Sequence, residues 1–276
     1  MTDFSVSGEI INSEKSIMKK TTLFIALVAL LVSFSQLTYG GTTPETDKNL
    51  SSVQEDEDNT RKNNRRRFTP HWSSFEIGLN NYMTSDYSTS LPDNLSFMDI
   101  NTSKSFNVNI NFGQIGIGLT RHLGFVTGVG LEFNNYRFDG NNNIMKNDLG
   151  VIIEYDAGAD GLDLEKSKLG TTYFVMPLLI EAQLPVSRRN TINIAAGVIG
   201  GAKISSSTKM VYYDDGKEKI KEENDYSLNT LRYGPTIRLG YESFQVYATY
   251  YMNTLFEENK GPELYPVQIG LSFTFD

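Results

Sequence analysis

The stretch YPVQIGLSFTFD (residues 265–276) decides the fold, because its side chains alternate between two kinds of surface. Its large apolar members occupy every second position: Tyr265, Val267, Ile269, Leu271, Phe273 and Phe275. Small or polar residues stand between them: Gln268, Gly270, Ser272 and Thr274. Alternate residues of a β-strand lie on opposite faces of its sheet. The stretch therefore predicts a strand with one apolar face and one face suited to water or to a polar interior.

The same alternation recurs along the chain and predicts eight strands. Their predicted ranges are 71–82, 104–120, 123–138, 171–184, a strand that begins near Asn190, 226–241, 244–253 and 265–276. The apolar parity changes at Gly113, which predicts a β-bulge at 113–114. Pro177 cannot donate to a strand ladder, so we expect a local defect there.

The connections between these strands alternate in length. Short turns are predicted at 121–122, 185–189 and 242–243, and long loops at 84–103, 139–170, 214–223 and 257–264. Short turns on one side and long loops on the other are typical of outer-membrane barrels. The sequence thus predicts an all-β fold, an eight-stranded antiparallel up-and-down transmembrane β-barrel with short periplasmic turns and long extracellular loops. The loops 139–170 and 205–225 would be presented outside the cell.

Tyrosines near the predicted strand ends favour the same class, because aromatic girdles contact lipid head groups in such barrels. The predicted girdle consists of Tyr82, Tyr136, Tyr173, Tyr226, Tyr241 and Tyr265.

The segment before the strands indicates export. Residues 18–40 read MKKTTLFIALVALLVSFSQLTYG, which has the two lysines, apolar run and small-residue end of a signal peptide. Residues 1–17 are then a misplaced start or a dispensable extension. Residues 41–70 are polar and charged and predict a disordered periplasmic leader. The barrel domain is predicted at 71–276.

Composition excludes several classes of function. The chain has no cysteine, which excludes disulfides, thiolate metal sites and a cysteine nucleophile. Its net charge of −8 argues against nucleic acid as a partner. The mature chain has no apolar run of the length that a membrane helix needs, which is about 18 residues.

Charged residues that fall on the polar faces are predicted to point into the barrel. They are Glu76, Glu132, Glu181, Lys203, Arg232 and Arg238. Because unpaired buried charges are costly, we expect ion pairs in two tiers. The lower tier holds Glu76, Glu181 and Arg238, and the upper tier holds Glu132, Arg232 and Lys203. Eight strands leave room for side chains or one small ligand. Inward glycines leave a small cavity open as an alternative: Gly78, Gly116, Gly118, Gly128, Gly130, Gly197 and Gly201.

Other candidate sites are weak. The acidic segment YDAGADGLDLE (155–165) lacks the spacing of an EF-hand, so an acidic surface loop is preferred to a calcium site. His71 and His122 have no serine and carboxylate arrangement nearby and are interpreted as interface or turn residues. The sequence therefore predicts no catalytic residue, no cofactor and no metal site.

Three stretches resemble the PorT-like outer-membrane β-barrel family of Gram-negative bacteria. They are GLEFNNYRFDG (130–140), TTYFVMPLLIE (171–181) and GPELYPVQIGLSFTF (261–275). The resemblance covers about residues 71–276 and implies an eight-stranded barrel in the outer membrane. It also implies a C-terminal aromatic signal for barrel assembly, with Phe273 and Phe275 as its residues.

The expected function is that of a non-enzymatic integral outer-membrane protein whose lumen is filled by side chains and whose loops have a structural or interaction role. Its expected partners are outer-membrane lipid, the barrel-assembly machinery during insertion, and a protein at the extracellular loops. Alternatives are a narrow channel or small-solute carrier, a component of a secretion or uptake complex, and a soluble lipocalin-like periplasmic binder with its apolar faces turned inward.

Overall fold

The computed structural model describes residues 68–187, 190–213 and 217–275, all within the unit Asn64–Asp276. The predicted extension and signal peptide lie outside the described residues, as does the predicted leader up to residue 67. Within the described ranges, no helix combines the length and the apolar character needed to cross a membrane.

The described residues form eleven β-strands. They are β1 (Ser74–Met83), β2 (Phe106–Gly118), β3 (Leu123–Arg137), β4 (Asn142–Lys146), β5 (Ile152–Asp156), β6 (Leu164–Pro185), β7 (Thr191–Tyr213), β8 (Lys217–Glu223), β9 (Leu231–Tyr241), β10 (Phe244–Tyr250) and β11 (Tyr265–Thr274). Two short 3-10 helices, Asp93–Met98 and Thr102–Lys104, lie between β1 and β2.

Eight of these strands form a ring-like antiparallel sheet. Their order is β1-β2-β3-β6-β7-β9-β10-β11, and β11 also pairs with β1. The connections β2–β3, β6–β7 and β9–β10 are short and share one end of the ring, called the short-turn end. The remaining connections are long and share the other end, called the long-loop end.

The predicted count of eight strands is too low, because the long loops contain strands of their own. Within the predicted loop 139–170, β4 and β5 form a separate hairpin, and β8 adds a ninth strand beside β7. Such pairing satisfies backbone N–H and C=O groups that a long loop would otherwise leave to water. The strand predicted from residue 226 begins only at Leu231, since Tyr226 and Ser227 have left-handed backbone φ angles of 48° and 44°.

The two predicted irregularities can be compared directly with the strand pairing. The β2–β3 register shifts between Phe112 and Ile115, and Gly113 has a φ of 61°, which confirms the predicted bulge. At Pro177 the register with β3 is kept, but no β3 residue pairs with it, whereas Ile199 of β7 does. The hydroxyl of Thr127 donates to the Pro177 carbonyl oxygen at 2.7 Å.

The two faces of the ring have opposite character. On the outward face of β11, Ile269 is 57% exposed and Phe273 is 46% exposed, whereas inward Gln268 and Ser272 are 4% and 0% exposed. A water-soluble protein would show the reverse. Large outward apolar side chains continue around the ring and suit contact with lipid.

This arrangement contradicts the alternative of a soluble lipocalin-like binder. That alternative required Glu132, Glu181 and Arg238 to face solvent, yet they are 1%, 2% and 3% exposed. The apolar residues that should have filled the interior face outward instead.

Candidate functional site

The interior of the ring contains an ion pair between Glu132 of β3 and Arg232 of β9. The guanidinium of Arg232 contacts the Glu132 carboxylate, and both side chains are almost wholly buried. The guanidinium carbon also lies 3.6 Å from the ring centroid of Tyr173 and 4.2 Å from that of Tyr251. The cation is therefore held between two aromatic rings, an arrangement that favours a desolvated arginine.

Further donors satisfy the carboxylate of Glu132. The Tyr251 hydroxyl donates to Oε2 at 2.7 Å, and Asn134 Nδ2 donates to Oε1 at 2.9 Å. The amide of Gln268 also donates to Oε1. This upper pair thus meets the condition under which a buried ion pair is tolerated, because additional hydrogen bonds occupy the remaining lone pairs.

A second ion pair joins Glu76 of β1 to Arg238 of β9. Asn109 and Asn111 donate to the two Glu76 oxygens at 2.8 Å and 2.7 Å. The Arg238 guanidinium carbon lies 4.6 Å from the ring of Trp72. The lower pair therefore has the same design as the upper pair, with an arginine over an aromatic ring and a carboxylate surrounded by donors.

Residues 68–73, here called the plug segment, enter the ring at its short-turn end. Phe68 and Trp72 are 7% and 1% exposed, and the Trp72 indole donates to the carbonyl oxygen of Val129 at 3.1 Å. The backbone N–H groups of Trp72 and Ser73 both donate to the side-chain oxygen of Gln114 at 2.8 Å. Gln114 follows the bulge glycine, so the bulge turns this acceptor inward.

Inward glycines make the space for the plug segment. A Cβ at Gly128 would lie 2.3 Å from Trp72, and one at Gly116 would lie 2.9 Å from Pro70. Gly118 and Gly124 face Phe68 in the same way. The inner space that these glycines leave is therefore filled by the chain itself. Phe68 and Pro70 had been predicted to belong to the leader, and the folded part of the chain begins before residue 71.

Glu181 is paired with a residue that the sequence did not suggest. His71 Nδ1 lies 2.6 Å from Glu181 Oε1, and the His71 backbone N–H donates to Oε2 at 3.2 Å. Gln183 Nε2 donates to Glu181 Oε1 at 2.7 Å and also to the backbone oxygen of Thr69. Glu181 thus holds the plug segment to β6.

Lys203 takes no part in the upper pair with which it had been grouped. Its ammonium contacts Asp225 Oδ1 at 2.5 Å and donates to the Leu228 carbonyl oxygen at 2.6 Å. Asp225 lies in the connection between β8 and β9, so Lys203 ties that loop to β7. A loop residue of this kind has no strand parity that could have revealed it.

The predicted aromatic girdle is wrong for four of its six members. Tyr82, Tyr136, Tyr173 and Tyr226 are buried at 2%, 0%, 2% and 1% exposure, whereas Tyr241 is 47% exposed. Tyr82 and Tyr136 belong instead to a hydrophobic cluster at the long-loop end, here called the loop cap. Its buried members are Tyr82, Met98, Tyr136, Phe138, Ile144, Ile152, Leu169, Tyr226, Leu228, Leu255, Phe256 and Leu264.

The proposed assembly signal lies on the outward face. Phe275 is 58% exposed, and the ring of Phe273 packs edge-on against Phe244 at 5.6 Å between centroids. In the acidic segment 155–165, Asp160 accepts a hydrogen bond from the Tyr155 hydroxyl at 2.7 Å. Across the described part of the chain, no group of three or more histidine, aspartate or glutamate residues is arranged to hold a metal ion.

Comparison with known proteins assigns the family. The family model for the outer membrane protein beta-barrel domain matches residues 51–255, and the chain belongs to this family. The family and the apolar outward face point to the outer membrane as its location. A comparison with curated proteins finds no match.

Among solved structures, the chain is similar to Ail, the attachment invasion locus protein of Yersinia pestis. The two are 12% identical with a TM-score of 0.27, covering 75% of this chain and 100% of Ail. The structure of Ail with the heparin analogue sucrose octasulfate gives the same values. The NanC porin is 9% identical with a TM-score of 0.19, covering 73% of this chain and 100% of NanC.

Proposed function

We propose that this protein is a closed, eight-stranded transmembrane barrel that anchors a folded loop surface outside the cell and conducts no solute. The observation that carries the proposal is the filled interior. Two ion-pair layers, Glu132 with Arg232 and Glu76 with Arg238, stand one above the other along β9. Trp72 seals the space beside the lower layer.

The size of the ring supports this reading. An eight-stranded barrel has an interior about wide enough for side chains. The guanidinium carbons of the two arginines lie 3.6 to 4.6 Å from aromatic ring centroids, so aromatic side chains occupy the space beside both ion pairs. The loop cap covers the opposite end with apolar side chains. We propose no catalytic role; among the described residues, the buried glutamates Glu76, Glu132 and Glu181 are engaged by Arg238, Arg232 and His71.

The loop cap also supports an interaction role. This buried apolar cluster joins the long loops to the ends of the ring strands and gives the loops a fixed shape. Exposed apolar residues remain on these loops, among them Tyr87 at 72% and Leu149 at 75% exposure. Exposed apolar side chains of this kind suit a protein partner.

Planar-bilayer recording tests the closed interior. We expect the purified full chain to insert without discrete conductance steps. Insertion is verified in parallel by protection of the strands from protease. Conductance steps from inserted wild-type protein would replace this proposal with the narrow-channel alternative.

Cysteine labelling tests the orientation, because the natural chain contains no cysteine. Leu149→Cys places a thiol at the long-loop end, and Val186→Cys places one in the exposed β6–β7 turn. A membrane-impermeant maleimide should label Leu149→Cys on intact cells and Val186→Cys only after lysis. The reverse pattern would contradict the orientation.

We also propose that Phe275 contributes to recognition by the assembly machinery and that the chain is PorT-like. Phe275→Ala should reduce the amount of membrane-inserted protein, while Phe106→Ala, at an outward phenylalanine of β2, should not. Crosslinking in intact cells from position 149 would identify a loop partner and would reveal membership of a secretion or uptake complex.

A further inference from the structure

A row of four positive side chains crosses the sheet at the long-loop end. Arg137 of β3 pairs with Lys168 of β6, Lys168 pairs with Lys209 of β7, and Lys209 pairs with Lys221 of β8. Directly paired residues in antiparallel strands project from the same face, with Cβ atoms about 5 Å apart. Like charges in these positions destabilise a sheet. This basic row therefore needs a compensating interaction.

The positive charge is confined to the outward face. Lys166, Lys217 and Lys219 share this face with the basic row, as the same strand register shows. In β8, with the sequence KEKIKEE, the three lysines project to this side together with Glu223, whereas Glu218 and Glu222 project to the other.

Acidic residues on the outward face neutralise only part of this charge. Glu165 contacts Lys217 at 2.7 Å, and Glu223 contacts Lys221 at 2.5 Å. Among the described residues, no salt bridge joins a carboxylate to Arg137, Lys168 or Lys209. The chain as a whole is acidic, with a net charge of −8, so a positive surface stands out against it.

The electrostatic strain is visible at Lys168, which lies beyond the apolar, membrane-facing part of β6. Burial lowers the pKa of this amine, and the charges of Lys166, Lys209, Arg137 and Lys221 lower it further. A bound anion would offset both the loss of hydration and the repulsion between the positive charges. Lys168 donates meanwhile to the Asn135 side-chain oxygen, a neutral partner.

The height of the basic row can be read along β6. Its outward apolar residues run from Leu184 to Phe174, which corresponds to about 33 Å of strand and, at a tilt of about 40°, to an apolar band about 25 Å tall. Lys168 stands six residues beyond Phe174, about 15 Å above the band. Lysine stems reach back along such a surface toward the membrane, which brings the ammonium groups to the head-group layer.

We propose that this outward basic row binds the phosphate groups of lipids in the outer leaflet. Arginine forms paired hydrogen bonds with phosphate, and lysine acts as a mobile point charge, so Arg137, Lys168 and Lys209 form a suitable set. The row shares its face with the lipid-facing apolar residues, so it points sideways into the membrane surface rather than out into the medium. This inference rests on the proposed transmembrane barrel.

Lipid selectivity of the full chain tests the inference. The protein is reconstituted in phosphatidylcholine vesicles with a trace of spin-labelled phosphatidic acid or spin-labelled phosphatidylcholine, and the motionally restricted fraction gives the relative association constant. Each lysine near an anionic surface contributes about 1 kcal/mol, or about fivefold. We expect wild type to prefer phosphatidic acid at least tenfold. The double variant Lys168→Gln/Lys209→Gln should lose at least fivefold of that preference.

The matched control is Lys104→Gln/Lys146→Gln, which removes the same charge from two other connections at the long-loop end. It should keep the wild-type preference. Equal loss in the control, or an unchanged preference in the Lys168/Lys209 variant, would overturn the proposal. So would displacement of the restricted lipid by millimolar inorganic phosphate, which would identify a soluble anion as the ligand.

Failure of the proposed barrel is recognised separately. Flotation with the vesicles measures incorporation before any lipid selectivity is read. Wild-type protein that does not float would contradict both the transmembrane barrel and the phosphate site. Protein that floats but shows no lipid preference would contradict only the phosphate site.

Discussion

Removal of Arg232 provides the sharpest test of the charged interior. Arg232→Met keeps most of the side-chain length but leaves the Glu132 carboxylate buried without its cation. Loss of one partner from a buried pair costs about 3 to 5 kcal/mol. Three remaining donors, from Tyr251, Asn134 and Gln268, still solvate the carboxylate, so we expect the lower part of that range, about 3 kcal/mol.

A second substitution should restore most of the stability that Arg232→Met loses. Glu132→Gln in the Arg232→Met background removes the stranded charge and keeps an acceptor for the Tyr251 hydroxyl. Replacement of a complete buried pair by neutral groups is often close to neutral. We therefore expect the double variant to lie within about 1 kcal/mol of wild type. This difference between single and double variants separates a charge effect from a packing effect.

Urea unfolding in phospholipid vesicles measures these changes. Trp72 is the single tryptophan of the chain and lies beside Arg238 in the lower layer, so the substitutions leave the reporter's own contacts in place. Arg121→Met, in the exposed β2–β3 turn, is the control and should change stability by less than about 0.5 kcal/mol. A loss below about 1 kcal/mol for Arg232→Met, or a double variant as unstable as the single one, would refute the reasoning.

Three further predictions concern packing, backbone and pH. Gly128→Ala should displace Trp72, red-shift its fluorescence and lower the free energy of unfolding by about 1 to 3 kcal/mol. Gly200→Ala, whose Cβ would have its nearest neighbour at 4.0 Å, should change neither property. Equal effects of the two substitutions would contradict the contact between Gly128 and Trp72. Gly113→Ala should cost about 1 kcal/mol in urea unfolding and Gly113→Asn less, because asparagine tolerates the φ of 61°; a silent alanine would argue against the bulge. Loss of hydration raises the pKa of Asp99 in the loop before β2, and repulsion from a neighbouring aspartate raises it further. The protonated carboxyl group therefore favours the folded state. This stabilisation is full below pH about 4 and is lost as the pH rises through the raised pKa. Asp99→Asn should therefore protect the adjacent amides from hydrogen exchange at pH 7.5 but not at pH 4, and equal protection at both would exclude the titration.

Strand periodicity was enough to predict the ring strands, their two faces and the bulge. The reason is physical: a period of two places every second side chain in lipid, and only apolar residues tolerate that position. Parity placed Glu76, Glu132, Glu181, Arg232 and Arg238 on the inner face, where the structure has them. It would also have placed Tyr82 inside, since this tyrosine is out of phase with the apolar residues of β1.

Partner choice within the interior could not be read in the same way. Glu181 and His71 are 110 residues apart and meet only because the plug segment folds back into the ring. The sequence around Trp72 has no period of its own, so nothing local distinguished it from the charged leader before it. The strands inside the long loops were missed for a related reason, because their pairing depends on neighbours that the ring brings into place.

Because the plug segment stands immediately before β1, its entry into the ring is coupled to the pairing of β1 with β11 during assembly. The first and last strands of the ring, β1 and β11, pair with each other, so the ring-like sheet is completed only when these two strands meet. Trp72 contacts β3 and β9 from the inside and is joined to β1 by a single intervening residue. The fluorescence of Trp72 should therefore show when β1 meets β11 during membrane insertion, without any added label.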